Sequence, residues 1–128
     1  MTFVLSFDYI NLIKNSDQVV FATSDSNNQP RAIIVQPSKI DQNGIILSNI
    51  QMNKTIENIK CNNKCFLNVY CKDNSDMQLK ITGTATIYKD GILYNEIKNY
   101  EEKNNLPNEL KVHSIIVIKP EYIEVSQE

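Results

Sequence analysis

The 128-residue sequence predicts a single, mainly β domain, in which short helices fill the gaps of a small antiparallel barrel. Two observations favour this class. Six short apolar runs, rich in β-branched residues, follow one another with turn residues between them. The first three runs have no helical segment between them, whereas a doubly wound parallel sheet needs a helix between most of its strands. We therefore expect one barrel domain over residues 1–128.

The N-terminal half is predicted to contain one helix and three strands. Ser6 suits the N-cap of a short amphipathic helix over residues 7–14. Strands are predicted over residues 18–23, 30–40 and 45–49, with a turn cluster at residues 25–28. The segment 41–44 ends in an Asn-Gly step between two apolar runs, which is a strong hairpin signal.

The C-terminal half is predicted to contain two helices and three strands. A helical spacing of apolar residues begins near Lys54 and ends near Asn62, and a second one covers residues 92–104. Strands are predicted over residues 64–72, 77–88 and 113–125. Gly83 indicates a bulge, a bend or a close backbone approach within the fifth strand, and Pro120 indicates a bend or an edge in the last.

The composition excludes several classes of protein. The net charge is -2 and the lysines are scattered, so nucleic acid is not the expected partner. No N-terminal pattern of a signal peptide and no apolar run of about 20 residues is present, so we expect a cytoplasmic protein that does not enter a membrane. The three cysteines and one histidine lack zinc-site spacing, which predicts no metal, and Cys65 and Cys71 are expected to be small buried or half-buried side chains in or beside a strand.

The chemistry of the side chains points to a cofactor rather than to a catalytic triad or pair. With Gly44, Gly83 and Gly91 as its only glycines, the chain has neither a P-loop nor a dinucleotide-binding fingerprint. His113 is the sole histidine and has no visible catalytic partner in the sequence. Any chemistry should therefore be carried by a bound group.

Two short segments carry the residue types that bind phosphate. Arg31 is the only arginine of the chain and stands one residue into the second predicted strand. Asn53 is predicted to cap the helix that follows, and Lys54 and Thr55 add a cation and a hydroxyl at that helix N-terminus. An exposed strand residue and an ordinary capped helix remain the alternatives at this point.

Taken together, the motifs resemble those of the pyridoxamine-phosphate oxidase-like family of FMN-binding split barrels. The resemblance extends from about Val19 to Val125 and rests on ATSDSNNQPRAIIV, IILSN, NKTIENI, KCFLNVY, QLKITGTATIY and IIVIKPEYIEV in this order. It implies a six-stranded antiparallel split β-barrel that forms a homodimer, with FMN at each subunit interface and its phosphate in a basic pocket.

The resemblance also implies a set of cofactor-binding residues. Arg31 matches the arginine that reaches the phosphate, and Lys54 matches the lysine of the family's Arg-Lys step, beside Thr55. Leu47 and Ser48 match the pair that ends the third strand near the flavin, and Gln78 matches a glutamine near the ring. The strand beside the flavin corresponds to Ala32, Ile33, Ile34, Val35 and Gln36.

Three departures from the family's oxidases shape the functional expectation. Asn53 stands where those enzymes have arginine, Gln36 replaces a lysine that helps to hold their substrate, and the chain has no tryptophan. These departures argue against a true pyridoxal-phosphate-forming enzyme. We expect an FMN-dependent oxidoreductase of unknown substrate, with a non-catalytic binder of flavin, haem or deazaflavin as the alternative, in which His113 would serve a haem as axial ligand. A dimeric barrel without a ligand is a third possibility.

Overall fold

A computed structural model describes residues 5–74 and 76–127 of the chain. The predicted fold class is confirmed: the structure is an antiparallel β-barrel with short helices, although it has seven strands rather than six. The helices are α1 (Phe7–Lys14), α2 (Asn53–Cys61) and α3 (Ile92–Asn104), with a 3-10 turn at Lys72–Asn74. The strands are β1 (Gln18–Ser24), β2 (Pro30–Val35), β3 (Lys39–Asp41), β4 (Gly44–Asn49), β5 (Lys64–Cys71), β6 (Met77–Tyr88) and β7 (Ser114–Ser126).

The strand order requires the sheet to curl. All neighbouring strands are antiparallel, in the order β2-β1-β5-β6-β7-β4-β3, so β2 and β3 form the two edges. Six strand spacings in a flat sheet would separate these edges by about 29 Å. Residues 36–38 alone connect β2 to β3, and so short a segment spans at most about 14 Å. The sheet therefore closes into a barrel with an open seam between its edges.

The extra strand arises at Pro37. The sequence predicted one strand over residues 30–40, but the structure has β2 and β3 with a break at residues 36–38. Proline has no N–H to donate to a ladder, and it restricts the residue before it, so the strand stops there. Pairing resumes at Ser38, whose N–H donates to the Ile46 carbonyl at 2.8 Å. The predicted single strand was wrong for this reason.

One apolar core fills the barrel. It takes inward-facing residues from β1 and from β3 to β7 together with α1 and α2, and includes Phe21, Leu67, Val69, Leu79, Ile81 and Ile118. Burial alternates along β5, because Cys65, Leu67, Val69 and Cys71 are buried while the residues between them are half-buried. A second cluster lies outside the barrel, where α3 packs through Ile97 against Ile46, Val112 and Ile115.

Gly83 lies at a β-bulge between the two longest strands. Thr82 pairs with Tyr122 and Gly83 with Pro120, so β7 contributes Glu121 as an extra residue. A Cβ atom at Gly83 would lie 2.6 Å from the Lys119 carbonyl oxygen, which is closer than real side chains approach. The close approach predicted from this glycine is confirmed, and it lets the paired strands bend around the core.

Candidate functional site

A cleft of about 610 Å³ opens beside the seam of the barrel. Its walls come from three places: the end of β2 with the following linker, the segment between β4 and α2, and the C-terminal end of α3. The lining residues are Ile34, Val35, Gln36, Pro37, Ser38, Ser48, Ile50, Met52, Tyr100, Glu101, Asn105 and Leu106. The cleft thus contains four of the residues predicted from the sequence: Ile34, Val35, Gln36 and Ser48.

Hydrogen bonds fix the wall formed by the linker and β4. The Ser38 and Ser48 hydroxyl oxygens lie 2.6 Å apart, which ties the end of the linker to β4. Asn49 follows Ser48, and its amide nitrogen donates to the Ser114 hydroxyl of β7 at 2.9 Å. The side-chain oxygen of Asn49 accepts the Met52 N–H at 2.9 Å, so one buried amide holds both β7 and the turn that enters α2.

The start of α2 differs from the prediction. The sequence predicted Asn53 as the N-cap, but the N-cap is Met52, and Asn53 is the first helical residue. Met52 gives no side-chain cap, and Asn49 serves this turn from outside the helix. The prediction was wrong because the side chain of Asn49, four residues before Asn53, accepts the Met52 N–H. The spacing of residues within the helix does not indicate this contact.

The first turn of α2 nevertheless has the features of an anion site. The first intrahelical hydrogen bond runs from the Ile56 N–H to the Met52 carbonyl at 2.9 Å. The N–H groups of residues 53–55 precede it and have no intrahelical partner. No acidic residue lies in this turn. Lys54 is exposed, and its ammonium is 3.9 Å from Glu57, a weak surface pair that leaves the cation accessible. The segment can therefore attract a negative group.

Buried polar contacts dock α2 on β1, the neighbour of the strand that carries Arg31. The Asn58 amide donates to the Thr23 hydroxyl at 3.1 Å, and the Asn62 amide donates to the Ser24 hydroxyl at 2.9 Å. Thr23 pairs with Arg31 across the sheet. Arg31 is exposed, and none of the ion pairs formed by the described residues involves it. Its guanidinium is thus free to meet an anion.

The remaining predicted residues lie outside the cleft lining. Ala32 is exposed on β2, and Ile33 packs against the barrel core. Leu47 and Thr55 are buried, and neither lines the cleft. Gln78 pairs with Tyr70 on β5, which in turn pairs with Gln18 on β1. This register places Gln78 three strands from β2, about 14 Å away along the hydrogen-bonding direction, and Gln78 does not line the cleft.

Sequence reasoning missed the wall formed by α3. Tyr100, Glu101, Asn105 and Leu106 line the cleft at the end of this helix, and Tyr100 is 60% exposed. Their residue types are ordinary for a helix end, and only the docking of α3 on β4 and β7 brings them to the seam. The one signal for this wall was Tyr100, an aromatic residue near the end of α3. It is exposed, whereas Ile97 of the same helix is buried.

The shifted pKa values lie away from the cleft. Hydrogen bonds from Lys98 and from the Val112 N–H lower the pKa of Glu102, which faces the loop after α3. Burial raises the pKa of Cys65 to about 12. All three cysteines are free thiols, with Cys61 exposed and the other two buried. His113 is exposed, donates its backbone N–H to the Asn49 carbonyl at 2.8 Å, and does not line the cleft.

Within residues 5–74 and 76–127, no helix is long and apolar enough to span a bilayer. The same part of the chain contains no group of three or more His, Cys, Asp and Glu side chains that could hold a metal ion.

The chain is similar to one protein family and to several solved structures. The family model described as pyridoxamine 5'-phosphate oxidase matches residues 9–127. HupZ of Group A Streptococcus is 21% identical with a TM-score of 0.81, over 97% of this chain and 95% of that chain. An FMN-binding protein from Syntrophomonas wolfei subsp. wolfei is 17% identical with a TM-score of 0.75, over 92% and 86%. General stress protein 26 from Bacillus anthracis str. Sterne is 19% identical with a TM-score of 0.70, over 92% and 91%.

These identities are low, so the likeness to the solved structures shows the shared fold alone. No curated protein matches the chain significantly by sequence.

Proposed function

We propose, because the chain belongs to the pyridoxamine 5'-phosphate oxidase family, that it is an FMN-binding protein whose flavin serves a redox reaction. The observation that carries the proposal is the cleft, which joins the end of β2 to Ser48 and to Met52 at the start of α2. Its volume of about 610 Å³ lies in the ordinary range for cofactor pockets. A relative with the same fold is an FMN-binding protein.

Two exposed cations, on β2 and on α2, suit a flavin phosphate. Lys54 lies in the first turn of α2, whose leading amides and dipole favour a negative group. Arg31 begins the strand that runs towards the cleft and has a planar fork of donors that matches phosphate oxygens. The Thr55 N–H precedes the first intrahelical hydrogen bond, and we expect it to add a donor to the phosphate site. Asn53 adds an amide where a cation would bind more strongly.

The polar residues of the cleft suit the flavin ring. Gln36 and Ser48 line the cleft beside Ile34 and Val35, which offer an apolar surface for a planar ring system. The hydrogen bond between Ser38 and Ser48 holds this surface in place. When bound, FMN would supply electron transfer, and the chain would position the ring and tune it through these groups.

We also propose that the protein is a homodimer with FMN at the subunit interface. Ile34 is 70% exposed on edge strand β2, and Tyr122 and Val125 are more than half exposed on β7. Exposed apolar side chains mark an interaction surface where they form a contiguous patch, and we expect these residues to contribute to one. A second subunit would cover them, and it would offer a route for Gln78 to reach a flavin across the interface. Sedimentation equilibrium tests this arrangement by the molecular mass in solution.

Titration with FMN tests the proposal directly. The protein, freed of bound flavin, is expected to quench FMN fluorescence on binding and to retain a visible flavin spectrum after gel filtration. A protein that stays colourless and leaves FMN fluorescence unchanged would contradict the proposal.

Two substitutions test the phosphate site. Lys54→Ala and Arg31→Ala should each weaken FMN binding by about 1–3 kcal/mol, the range for a charge-assisted contact. Lys60→Ala is the matched control, because Lys60 is an exposed lysine at the opposite end of α2. Riboflavin, which lacks the phosphate, should bind all four proteins equally. Unchanged FMN affinity in both variants would refute the phosphate assignment while leaving flavin binding open to the direct titration.

The redox role is tested with the loaded protein. Anaerobic mixing with NADH and with NADPH should bleach the flavin band if either nucleotide is the electron donor. Pyridoxine 5'-phosphate should give no turnover, because Gln36 offers no cation to its phosphate. Formation of pyridoxal 5'-phosphate would contradict this part of the proposal.

A further inference from the structure

The α3 wall of the cleft is held rigidly in place. The Lys98 ammonium lies 2.5 Å from the Glu102 carboxylate and 3.3 Å from the Val112 carbonyl oxygen. The Val112 N–H donates to Glu102 at 2.8 Å, and Lys111 lies 3.8 Å from the same carboxylate. The Tyr94 hydroxyl donates to the Val112 carbonyl at 2.9 Å. This network fixes α3 to the segment before β7 and therefore fixes the residues that α3 presents to the cleft.

The charge of the cleft comes from one side chain. Among the twelve described residues that line it, Glu101 alone carries a formal charge near neutral pH. The Asn105 amide donates to the Glu101 carboxylate at 3.2 Å, and none of the ion pairs of the described residues includes Glu101. Glu102 differs, because Lys98 and Lys111 compensate its charge.

The end of α3 adds to this negative potential. The Asn105 and Leu106 N–H groups both donate to the Glu101 carbonyl, at 2.9 and 3.0 Å, which closes the last turn. The C-terminal end of a helix carries a partial negative charge. An anionic substrate that entered the cleft would therefore meet repulsion from the carboxylate and from the helix end.

Tyr100 gives the same wall a surface for planar or cationic groups. Its ring is 60% exposed and lines the cleft next to Glu101. An exposed aromatic face stacks on planar rings and attracts cations. A carboxylate beside an aromatic ring is a combination that recognises a cation.

We propose that this cleft selects an uncharged or cationic planar substrate, that it disfavours phosphate esters, and that Glu101 is the residue that sets this preference. The inference rests on the proposed function, since the substrate would have to meet the flavin here. The cleft would then have opposite electrostatic ends. Lys54 and Arg31 would serve the phosphate of the cofactor, and Glu101 would face the substrate.

The first experiment measures the charge of the cleft without flavin. A Cys61→Ser background removes the exposed native thiol, and Gln36→Cys introduces a thiol at an exposed position that lines the cleft. Its rates of reaction with a cationic and an anionic methanethiosulfonate are compared, after normalisation to free cysteine. At low salt we expect Glu101→Gln to lower the ratio of the cationic to the anionic rate by on the order of threefold. The matched control is Glu109→Gln, an exposed glutamate that does not line the cleft, and it should leave the ratio unchanged.

The second experiment uses the FMN-loaded protein. After anaerobic reduction, the bound flavin gives its two electrons to two ferricyanide ions or to two hexaammineruthenium(III) ions, and the rates are followed by stopped flow. Glu101→Lys should raise the ratio of the ferricyanide rate to the ruthenium rate by at least tenfold, and Glu101→Gln by less. Glu109→Lys is the matched control for a change of two charges elsewhere on the surface.

The two experiments separate the inference from the function on which it rests. If FMN fails to bind but the thiol ratio responds to Glu101→Gln, the proposed function is wrong and the cleft charge stands. If FMN binds, the inference is overturned when the Glu101 and Glu109 variants give equal changes in either experiment.

Discussion

Alkaline pH should destabilise the protein through one buried thiol on β5. Burial raises the pKa of Cys65 from 9.0 to about 12, with the nearby Glu121 carboxylate acting in the same direction and Lys64 opposing. In the unfolded chain the thiol loses its proton near its ordinary pKa, whereas in the folded protein it stays protonated. The unfolded state therefore binds fewer protons than the native state above pH 9.0, so the free energy of unfolding falls as pH rises. The stability that Cys65 contributes is present below this pH and is lost as pH approaches the folded-state value.

The size of the effect follows from the difference between the two pKa values. Each pH unit in this window removes about 1.4 kcal/mol of the free energy of unfolding. The substitution Cys65→Ala removes the thiol and leaves a small cavity, which should cost about 1–2 kcal/mol at pH 8. By about pH 11 the wild type should have lost roughly 2–3 kcal/mol relative to the variant, so the order of stability should reverse.

The assay is urea unfolding at several pH values between about 8 and 11, with reductant present and oxygen excluded. Other groups titrate in this range in both proteins, so the difference between wild type and variant isolates Cys65. Val69→Ala is the matched control, because Val69 is also buried on the same strand and has no ionisable group. Parallel pH profiles for the wild type and Cys65→Ala would refute the reasoning, since the thiol would then ionise equally easily in both states.

Three further predictions concern the bulge, the α2 turn and the α3 network. Gly83→Ala places a Cβ atom 2.6 Å from the Lys119 carbonyl oxygen, so it should destabilise the protein by about 1–3 kcal/mol, measured by urea unfolding against Ala85→Gly on the same strand. Asn49→Ala removes partners from the Met52 N–H and the Ser114 hydroxyl, and should cost about 1–3 kcal/mol and weaken FMN binding, whereas Asn95→Ala on exposed α3 should change neither. The lowered pKa of Glu102 means that its contribution is present above pH 4.5 and is lost as pH falls, so Glu102→Gln should lower Tm at pH 7 and have less effect at pH 3.

The barrel could be predicted from the sequence because its signals are local. Turn residues, alternation along β5 and the glycine at the bulge each act within a few residues of where they stand in the chain. Pro37 was also visible in the sequence, but one strand was predicted through it. Because proline has no N–H, the ladder of hydrogen bonds stops where a partner strand would need that donor. The two short strands on either side of it became the edges of the sheet.

The candidate site could be predicted only in part, because it is assembled by tertiary contacts. Gln36, in the linker after β2, and Ser48, on β4, both line the cleft because the fold brings these two segments together. Asn49 reaches Met52 across a turn, and this contact displaced the expected cap at Asn53. Glu101 comes to the cleft because α3 packs on the far side of β4 and β7, and no spacing along the sequence encodes that docking.

The open seam has a consequence for cooperativity. Hydrogen bonds hold β2 only through β1 and β3 only through β4, so the two edges can separate without breaking the ladder that joins the other strands. A ligand in the cleft would contact β2 on one side and Ser48 of β4, the partner of β3, on the other, and would tie the two sides together. Hydrogen exchange should then slow on β2 and on β3 together when FMN binds, while the amides of β5 and β6 change little. The bound cofactor would in this way bridge the seam of the barrel, as an additional strand between the two edges would do.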